Sequence, residues 1–175
     1  MEYEFELTFK INDVICDHDH IMMQLGKAGC TDALVGLGVA GHVRLEFVRE
    51  AKNASEAVLS AIADVKKALP LASLVEACPD LVGLTDVADM VGVTRQNMRK
   101  LMITHSDRFP SPVHGGSTSI WHLAEILDFM QERKLSMPIF IHEVARATMQ
   151  VNIVKERLMH ETPMTRDVEK FLAAC

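Results

Sequence analysis

The sequence is poor in cysteine and in aromatic residues, and it has no long apolar run. Its four cysteines, Cys16, Cys30, Cys78 and Cys175, form no C-x-x-C pair, so neither a disulfide scaffold nor a zinc knuckle is expected. No stretch approaches the roughly 18 uninterrupted apolar residues of a membrane span, and the first ten residues lack the pattern of a secretory signal. We therefore expect a cytoplasmic, reducing location and no membrane partner.

An excess of basic residues is also absent, since the formal net charge is -6. Non-specific DNA affinity comes mostly from Lys and Arg, so the charge excludes a protein that coats nucleic acid indiscriminately. The charge is unevenly distributed: residues 1–80 hold 7 basic and 13 acidic side chains, whereas residues 94–108 hold four basic side chains against Asp107 alone. The basic members of this island are Arg95, Arg99, Lys100 and Arg108.

The first eighty residues predict alternating strands and helices. Apolar and polar residues alternate from position 3 to position 11, which is the period of a strand with one buried face. The later elements are a helix at 21–28 closed by Gly29, strands at 33–37 and 43–48, a helix from the capping residue Asn53 to Pro70, and a strand at 72–78. This order is the split βαβ arrangement called ferredoxin-like, a fold that hosts many unrelated functions.

Two patterns in this part contain the residue types of ligand sites. Gly36, Gly38 and Gly41 satisfy G-x-G-x-x-G, but a phosphate site needs glycines that open a helix, and here another strand follows, which favours a hairpin turn. Residues 17–20 read Asp-His-Asp-His, but neighbouring side chains of an extended segment point opposite ways. We interpret them as a solvated helix start capped by an Asp, and predict no metal and no cofactor.

The run L-T-D-V-A-D-M-V-G-V-T-R-Q-N-M-R-K-L, residues 84–101, predicts two helices joined by a tight turn. Thr85 can cap the first helix, and Ala88 is small where the second helix must cross closely. Gly92 lies where the turn demands a left-handed backbone. Val93 is expected to seal this turn against the core.

The second helix has the composition of a DNA-reading helix. Thr94 is expected to cap it, and Met98 and Leu101 face inward at a spacing of three. Arg can grip guanine with two hydrogen bonds, Gln can do the same with adenine, and a capped helix N-terminus favours a phosphate. The alternative is an ordinary helical hairpin with a polar face. The outward candidates are Arg95, Gln96, Arg99 and Lys100, with Asn97 beside them.

A β-hairpin, or wing, is predicted next. Residues 108–113 and 118–121 flank a glycine-centred turn at 114–117. Trp121 is expected to anchor the wing under a helix at 123–133, because an aromatic ring is more stable in a core than at a wet groove edge. The candidate phosphate contacts of this region are Arg108, His114 and Ser117.

These motifs resemble the MerR/excisionase-type winged helix-turn-helix family, including the small phage regulators called AlpA-like. The resemblance covers residues 82–133 and rests on L-T-D-V-A-D-M-V-G-V-T-R-Q, F-P-S-P-V and S-I-W-H-L-A-E-I-L-D-F-M. It implies a double-stranded DNA partner, with Arg95, Gln96 and Arg99 as base or phosphate contacts. MerR activators place a long helix and an effector domain after the winged helix, whereas most of the remaining mass here precedes it. The resemblance therefore does not extend to metal or drug sensing.

A last helix is predicted from Pro138, with apolar residues in alternating steps of four and three. The stripe could form a dimer seam or pack on its own winged helix, since both have this spacing. Its members are Phe140, Val144, Ala147, Val151, Val154 and Leu158. The wider stripe, which adds Ile141, Ala145 and Ile153, suggests that the helix could do both. The whole sequence thus predicts an α+β protein with a ferredoxin-like domain at 1–79, a winged helix-turn-helix at 82–135 and a helix at 138–162.

The function predicted from these features is sequence-specific DNA binding by a homodimeric transcriptional regulator. An excisionase-like architectural factor that bends its site is one alternative. Another is an antitoxin or other partner-binding module, whose acidic N-terminal half masks a basic protein. No enzyme is predicted, because no nucleophile is paired with a base in a recognisable motif.

Overall fold

The computed structural model of the chain describes residues 1–11, 17–135 and 139–173. Within these ranges it is a mixed α+β protein with seven helices and a four-stranded antiparallel sheet, which confirms the predicted class. The strands are β1 (Glu2–Lys10), β2 (Ala33–Gly36), β3 (His42–Glu50), β4 (Ser73–Cys78), β5 (Leu81–Val82) and β6 (Trp121–His122). The helices are α1 (His18–Ala28), α2 (Ala54–Ala68), α3 (Leu84–Met90), α4 (Arg95–Thr104), α5 (Leu123–Glu132), α6 (Ile139–His160) and α7 (Pro163–Leu172).

The four-stranded sheet has the order β2-β3-β1-β4. Every neighbouring pair is antiparallel, and β1 pairs with β3 so that Phe5 lies opposite Phe47 and Leu7 opposite Leu45. The alternation along β1 buries its apolar side chains on one face, against α1, α2 and α6. We call β1–β4 with α1 and α2 the sheet unit.

Local capping fixes the helices of the sheet unit. The Asn53 side chain accepts a hydrogen bond from the Glu56 N–H at 2.8 Å, and Gly29 ends α1 with a left-handed φ of 112°. Asp17 caps α1 by accepting from the Asp19 N–H at 3.1 Å, so residues 17–20 are the helix start that the sequence predicts. Gly41, with φ 72°, lies in the hairpin turn between β2 and β3. Among the described residues, no cluster of three or more metal-ligand side chains occurs.

The second core belongs to the helical unit, which comprises β5, α3, α4, β6 and α5. Strands β5 and β6 pair, with Leu81 opposite His122 and Val82 opposite Trp121. Ala88, Met98 and Leu127 lie in its buried cluster. This small core holds α3 and α4 against α5.

Helix α6 takes part in both cores. Val144 and Ala147 are buried with the sheet unit, whereas Ala145, on an adjacent side of the helix, is buried with the helical unit. Between the two, the Thr148 hydroxyl donates to the Pro79 carbonyl at 2.6 Å. The first half of α6 therefore packs within its own chain on both units, whereas the sequence predicts intrachain packing on the winged helix only.

The structure has one helix that the sequence analysis does not include. The last predicted helix ends at residue 162, and a seventh helix, α7, begins at Pro163 and has no buried residue. The Thr162 N–H donates to the Thr165 hydroxyl at 3.0 Å, and Pro163 suits the first helical turn. Pro138, the predicted start of α6, lies outside the described residues. No helix in the described parts of the chain has the length and apolarity needed to cross a membrane.

Candidate nucleic-acid interface

A tight turn joins α3 to α4 at close to the predicted positions. Gly92 has a φ of 73°, the left-handed conformation that glycine adopts without strain. The Val93 N–H donates to the Ala88 carbonyl at 2.9 Å, which folds the chain back after α3. Ala88 is fully buried, as expected of a small residue where two helices cross.

Two details of this turn differ from the sequence prediction. The cap of α3 is Gly83 rather than Thr85, because the Asp86 carboxylate accepts the Gly83 N–H at 2.8 Å and starts the helix earlier. Thr85 is consequently a residue of the first helical turn. Val93 does not seal the core: it is 38% exposed and does not belong to the buried cluster of the helical unit.

Helix α4 begins as predicted. The Thr94 hydroxyl accepts the Asn97 N–H at 3.1 Å and so satisfies one of the amide groups left free at a helix N-terminus. Met98 is buried and Leu101 half-buried, which fixes the rotation of the helix. The opposite side of α4 is open to solvent.

The exposed side of α4 is cationic, and we call it uncommitted because its side chains have no partner within the described chain. In the described ranges of the chain, the side chains of Arg95, Arg99 and Lys100 make no hydrogen bond or ion pair, and the same holds for the amide side chains of Gln96 and Asn97. Arg166 on α7 also has no partner in the described ranges, whereas four other arginines form ion pairs with carboxylates at 2.5 to 2.8 Å. Those engaged arginines are Arg44, Arg49, Arg146 and Arg157.

A cleft lies between α4, the start of α3 and the loop that precedes β6. It has a volume of about 480 Å³, and Arg95 and Arg99 line it together with Ser117. Three of the predicted contacts are therefore brought to one place. Asp86 also lines the cleft, and its carboxylate would repel a phosphate that entered deeply.

Hydroxyl groups in this cleft were missed by the sequence prediction. Thr118 and Ser119 line it beside Ser117, and Thr85 faces it from α3. Hydroxyls are common donors to phosphate oxygens. The run Ser-Thr-Ser after two glycines was the available signal.

The other predicted contacts lie apart from this cleft. Asn97 and Lys100 border a separate depression of about 260 Å³ with Thr104 and His105. Arg108 is exposed and lies 3.7 Å from the Asp107 carboxylate. His114 is exposed and lies outside the cleft lining.

The wing differs from the predicted β-hairpin. His114 and Ile120 form a single isolated bridge, and residues 108–113 form no strand. Pro110 and Pro112 have no N–H with which to continue a ladder, and the Trp121–His122 strand pairs with Leu81–Val82 instead. The segment is therefore a loop closed by one bridge.

Trp121 anchors this loop as expected. Its ring is buried, its Nε1–H donates to the Pro110 carbonyl at 3.1 Å, and it packs edge-on against Phe109 at 6.1 Å. The indole thus fixes both ends of the loop whose hydroxyls line the cleft.

Comparison with known proteins does not assign the chain to a family. The chain matches no protein-family model, no curated protein and no solved structure.

Proposed function

We propose that the chain is a sequence-specific DNA-binding protein, acting as a transcriptional regulator in the cytoplasm and without enzymatic activity. In this proposal the helical unit is a winged helix-turn-helix of the MerR/excisionase type, and the sheet unit is a ferredoxin-like domain. Helix α4 is the recognition helix, and residues 114–119 form the wing.

The observation that carries the proposal is the uncommitted cationic face of α4. Arg95, Arg99 and Lys100 have no partner in the described chain, although carboxylates are abundant elsewhere in it. A protein of net charge -6 has many acidic positions with which surface cations could pair. Cations left without such a partner on one helix face are typical of a site whose partner is another molecule.

The geometry of this face suits the major groove. Ten residues of α4 span roughly 15 Å, and the groove of B-DNA is about 12 Å wide and admits one helix. Arg99 and Gln96 lie one turn apart on the open side, where a guanine and an adjacent adenine could be read. The hydroxyls of the 117–119 loop lie beside the same cleft and suit the flanking phosphates.

A duplex selected from a randomised pool provides the test. Fluorescence anisotropy with this duplex and a scrambled control, over a salt series, separates specific from electrostatic binding. We expect a preference of about a thousandfold or more for the selected duplex. Arg99→Ala and Gln96→Ala should each remove about tenfold to a hundredfold of that preference.

The matched control is Arg44→Ala, which removes the same charge from an exposed arginine of the sheet unit. It should leave affinity and salt dependence unchanged. If selected and scrambled duplexes bind alike and Arg99→Ala has no effect, α4 is not a recognition helix. If the preference holds but circular-permutation probes show a strong bend, the excisionase-like architectural role replaces the regulatory one.

A second candidate function rests on the open face of the sheet. Six glutamates project from it, and the register places Glu6 opposite Glu46 and Glu2 opposite Glu50. Like charges directly opposite each other destabilise a sheet, and only Glu6 is offset within the described chain, by an ion pair with Arg44 at 2.5 Å. The other five glutamates make no ion pair in the described ranges, so the face suits a basic protein partner, as in an antitoxin. The six are Glu2, Glu4, Glu6, Glu46, Glu50 and Glu76.

Co-expression with the flanking genes tests this second function. A basic protein that co-purifies with the wild type should be lost with Glu46→Lys, whereas Lys100→Ala on α4 should retain it. Retention of the partner by Glu46→Lys would exclude the sheet face as its binding surface.

A further inference from the structure

The apolar stripe of α6 continues beyond the protein that covers it. Val144 is 2% exposed and Ala147 is 8% exposed, but Val154 is 50% and Leu158 71% exposed further along the same stripe. Met159 is 61% exposed, although it lies on the side of α6 that faces the protein in the first half of the helix. The last two turns of α6 therefore present core-type side chains to solvent.

Helix α7 adds a second uncovered apolar face. Met164, Val168 and Leu172 recur at spacings of four, which places them on one side of the helix, and all three are exposed. An isolated ten-residue helix is marginal in water. The ion pair from Arg157 to Glu169, at 2.7 Å, ties α7 to α6, but no residue of α7 is buried.

We infer that a second copy of this chain covers these side chains, so that the protein is a two-fold dimer held by α7 and the end of α6. We call this surface the C-terminal apolar face. Its members are Val154, Leu158, Met159, Met164, Val168 and Leu172.

The charges around the C-terminal apolar face favour an identical partner. From position 155 to position 170 there are four cationic and four anionic side chains, so the region is neutral although the chain carries -6. Several are paired within the chain, including Lys155 with Glu156 at 2.8 Å and Lys170 with Asp167 at 3.2 Å. Two copies can therefore meet in a self-complementary contact without repulsion.

Other occupants are less well matched by this charge distribution. A helix that lies on a membrane surface carries an excess of Lys and Arg on its polar face. On α7, Arg166 and Lys170 are balanced by Asp167 and Glu169. A strongly charged protein or nucleic acid would also gain no net attraction here.

The size of the face sets the expected affinity. Six side chains of these types offer on the order of 500 Å² of apolar surface, somewhat less than the roughly 800 Å² per partner of a standard interface. We therefore expect a dissociation constant in the micromolar range. The inference does not depend on DNA binding.

Sedimentation velocity of the full chain without DNA, from about 1 to about 200 µM, tests the dimer. We expect a reversible shift from monomer to dimer, and at least a tenfold weaker association for Leu158→Glu combined with Val168→Glu. Leu34→Glu is the matched control, since Leu34 is also 71% exposed but lies on β2. Leu34→Glu and Arg99→Ala should both dimerise like the wild type.

Hydrogen exchange gives a second readout that a local folding defect would not imitate. The α7 amides should be protected in proportion to the dimer fraction, while the amides of β1 stay protected at every concentration. A chain that remains monomeric to about 200 µM, or a dimer that survives both glutamates, overturns the inference. Protection of α7 only by vesicles of equal phosphatidylserine and phosphatidylcholine would also overturn it, in favour of a membrane surface.

Discussion

Two sets of arginines in this chain differ in what their guanidinium groups contact. Arg49 in the sheet unit is 7% exposed and hydrogen-bonds to Asp32, Asp64 and Ser60. Arg95 and Arg99 on α4 are exposed and have no partner in the described chain. The sheet unit uses its arginine charge to hold its own elements together, whereas α4 leaves its charge available.

Arg49 shows how fully an arginine can be committed. Burial lowers its pKa, but hydrogen bonds from Arg49 to the carboxylates of Asp32 and Asp64 outweigh this effect, so the pKa is raised above its ordinary value. The same carboxylates join β3 to α2 and to the turn before β2 through one side chain. Removing that side chain should affect the fold and leave α4 untouched.

The largest effect is expected for Arg49→Met. It would leave two carboxylates without a partner, and removing one member of a buried ion pair costs about 3 to 5 kcal/mol. Because the Asp32 and Asp64 side chains are 29% and 31% exposed, we expect about 2 to 4 kcal/mol of destabilisation in urea unfolding. Arg44→Met, at a 61% exposed arginine, should cost less than about 1 kcal/mol. Equal losses for the two variants would contradict the contrast between committed and exposed arginines.

The second-largest loss of stability is expected for a substitution of Asn152 on α6, whose side chain is hydrogen-bonded within the protein. The Asn152 amide donates to the Ala77 carbonyl and accepts the Ala77 N–H, at 2.8 and 2.9 Å, and also donates to Asp80 at 2.8 Å. Asn152→Ala leaves these buried groups unsatisfied, so we expect a loss of about 2 to 3 kcal/mol. Faster hydrogen exchange at the Ala77 amide would identify the cause, and Gln150→Ala on the exposed side of α6 should change neither quantity.

Local sequence signals predicted the helix and strand positions well. The alternation of residues 3–11, the Asn53 cap and the left-handed Gly92 each depend on side chains within a few residues, so the sequence alone indicates them. The uncommitted face of α4 was predicted for the same reason. Met98 and its apolar neighbours fix which side of the helix faces solvent.

Contacts between distant segments could not be predicted in this way. Asn152 meets Ala77 across 75 residues, and the partner of β6 is Leu81–Val82 rather than the adjacent proline-containing segment. The exposure of the end of α6 could not be predicted either, because the apolar stripe has the same period in its buried and its exposed parts. Only the positions of the sheet and of α5 show where the buried part ends.

A smaller effect is expected at the turn that positions α4. No atom lies within 4 Å of a Cβ added to Gly92, so Gly92→Ala costs only the strain of its φ of 73°, about 1 kcal/mol. Gly26, in the interior of α1, has equally open space and ordinary helical backbone. Gly26→Ala should therefore stabilise the protein by about 0.5 to 1 kcal/mol. Thermal unfolding of both variants measures the difference, and equal effects of the two substitutions would contradict the backbone strain assigned to Gly92.

The smallest effect on stability is expected for Arg99→Ala. Arg95 and Arg99 are like charges four residues apart on α4 with no carboxylate to separate them, an arrangement that costs a helix about 0.2 to 0.5 kcal/mol. Alanine also has the higher helix propensity. Urea unfolding should therefore give a stability that is unchanged or raised by up to about 0.5 kcal/mol, while the DNA preference falls. Should Arg99→Ala destabilise the protein by more than about 1 kcal/mol, the guanidinium has a structural partner, and the difference between the two sets of arginines disappears.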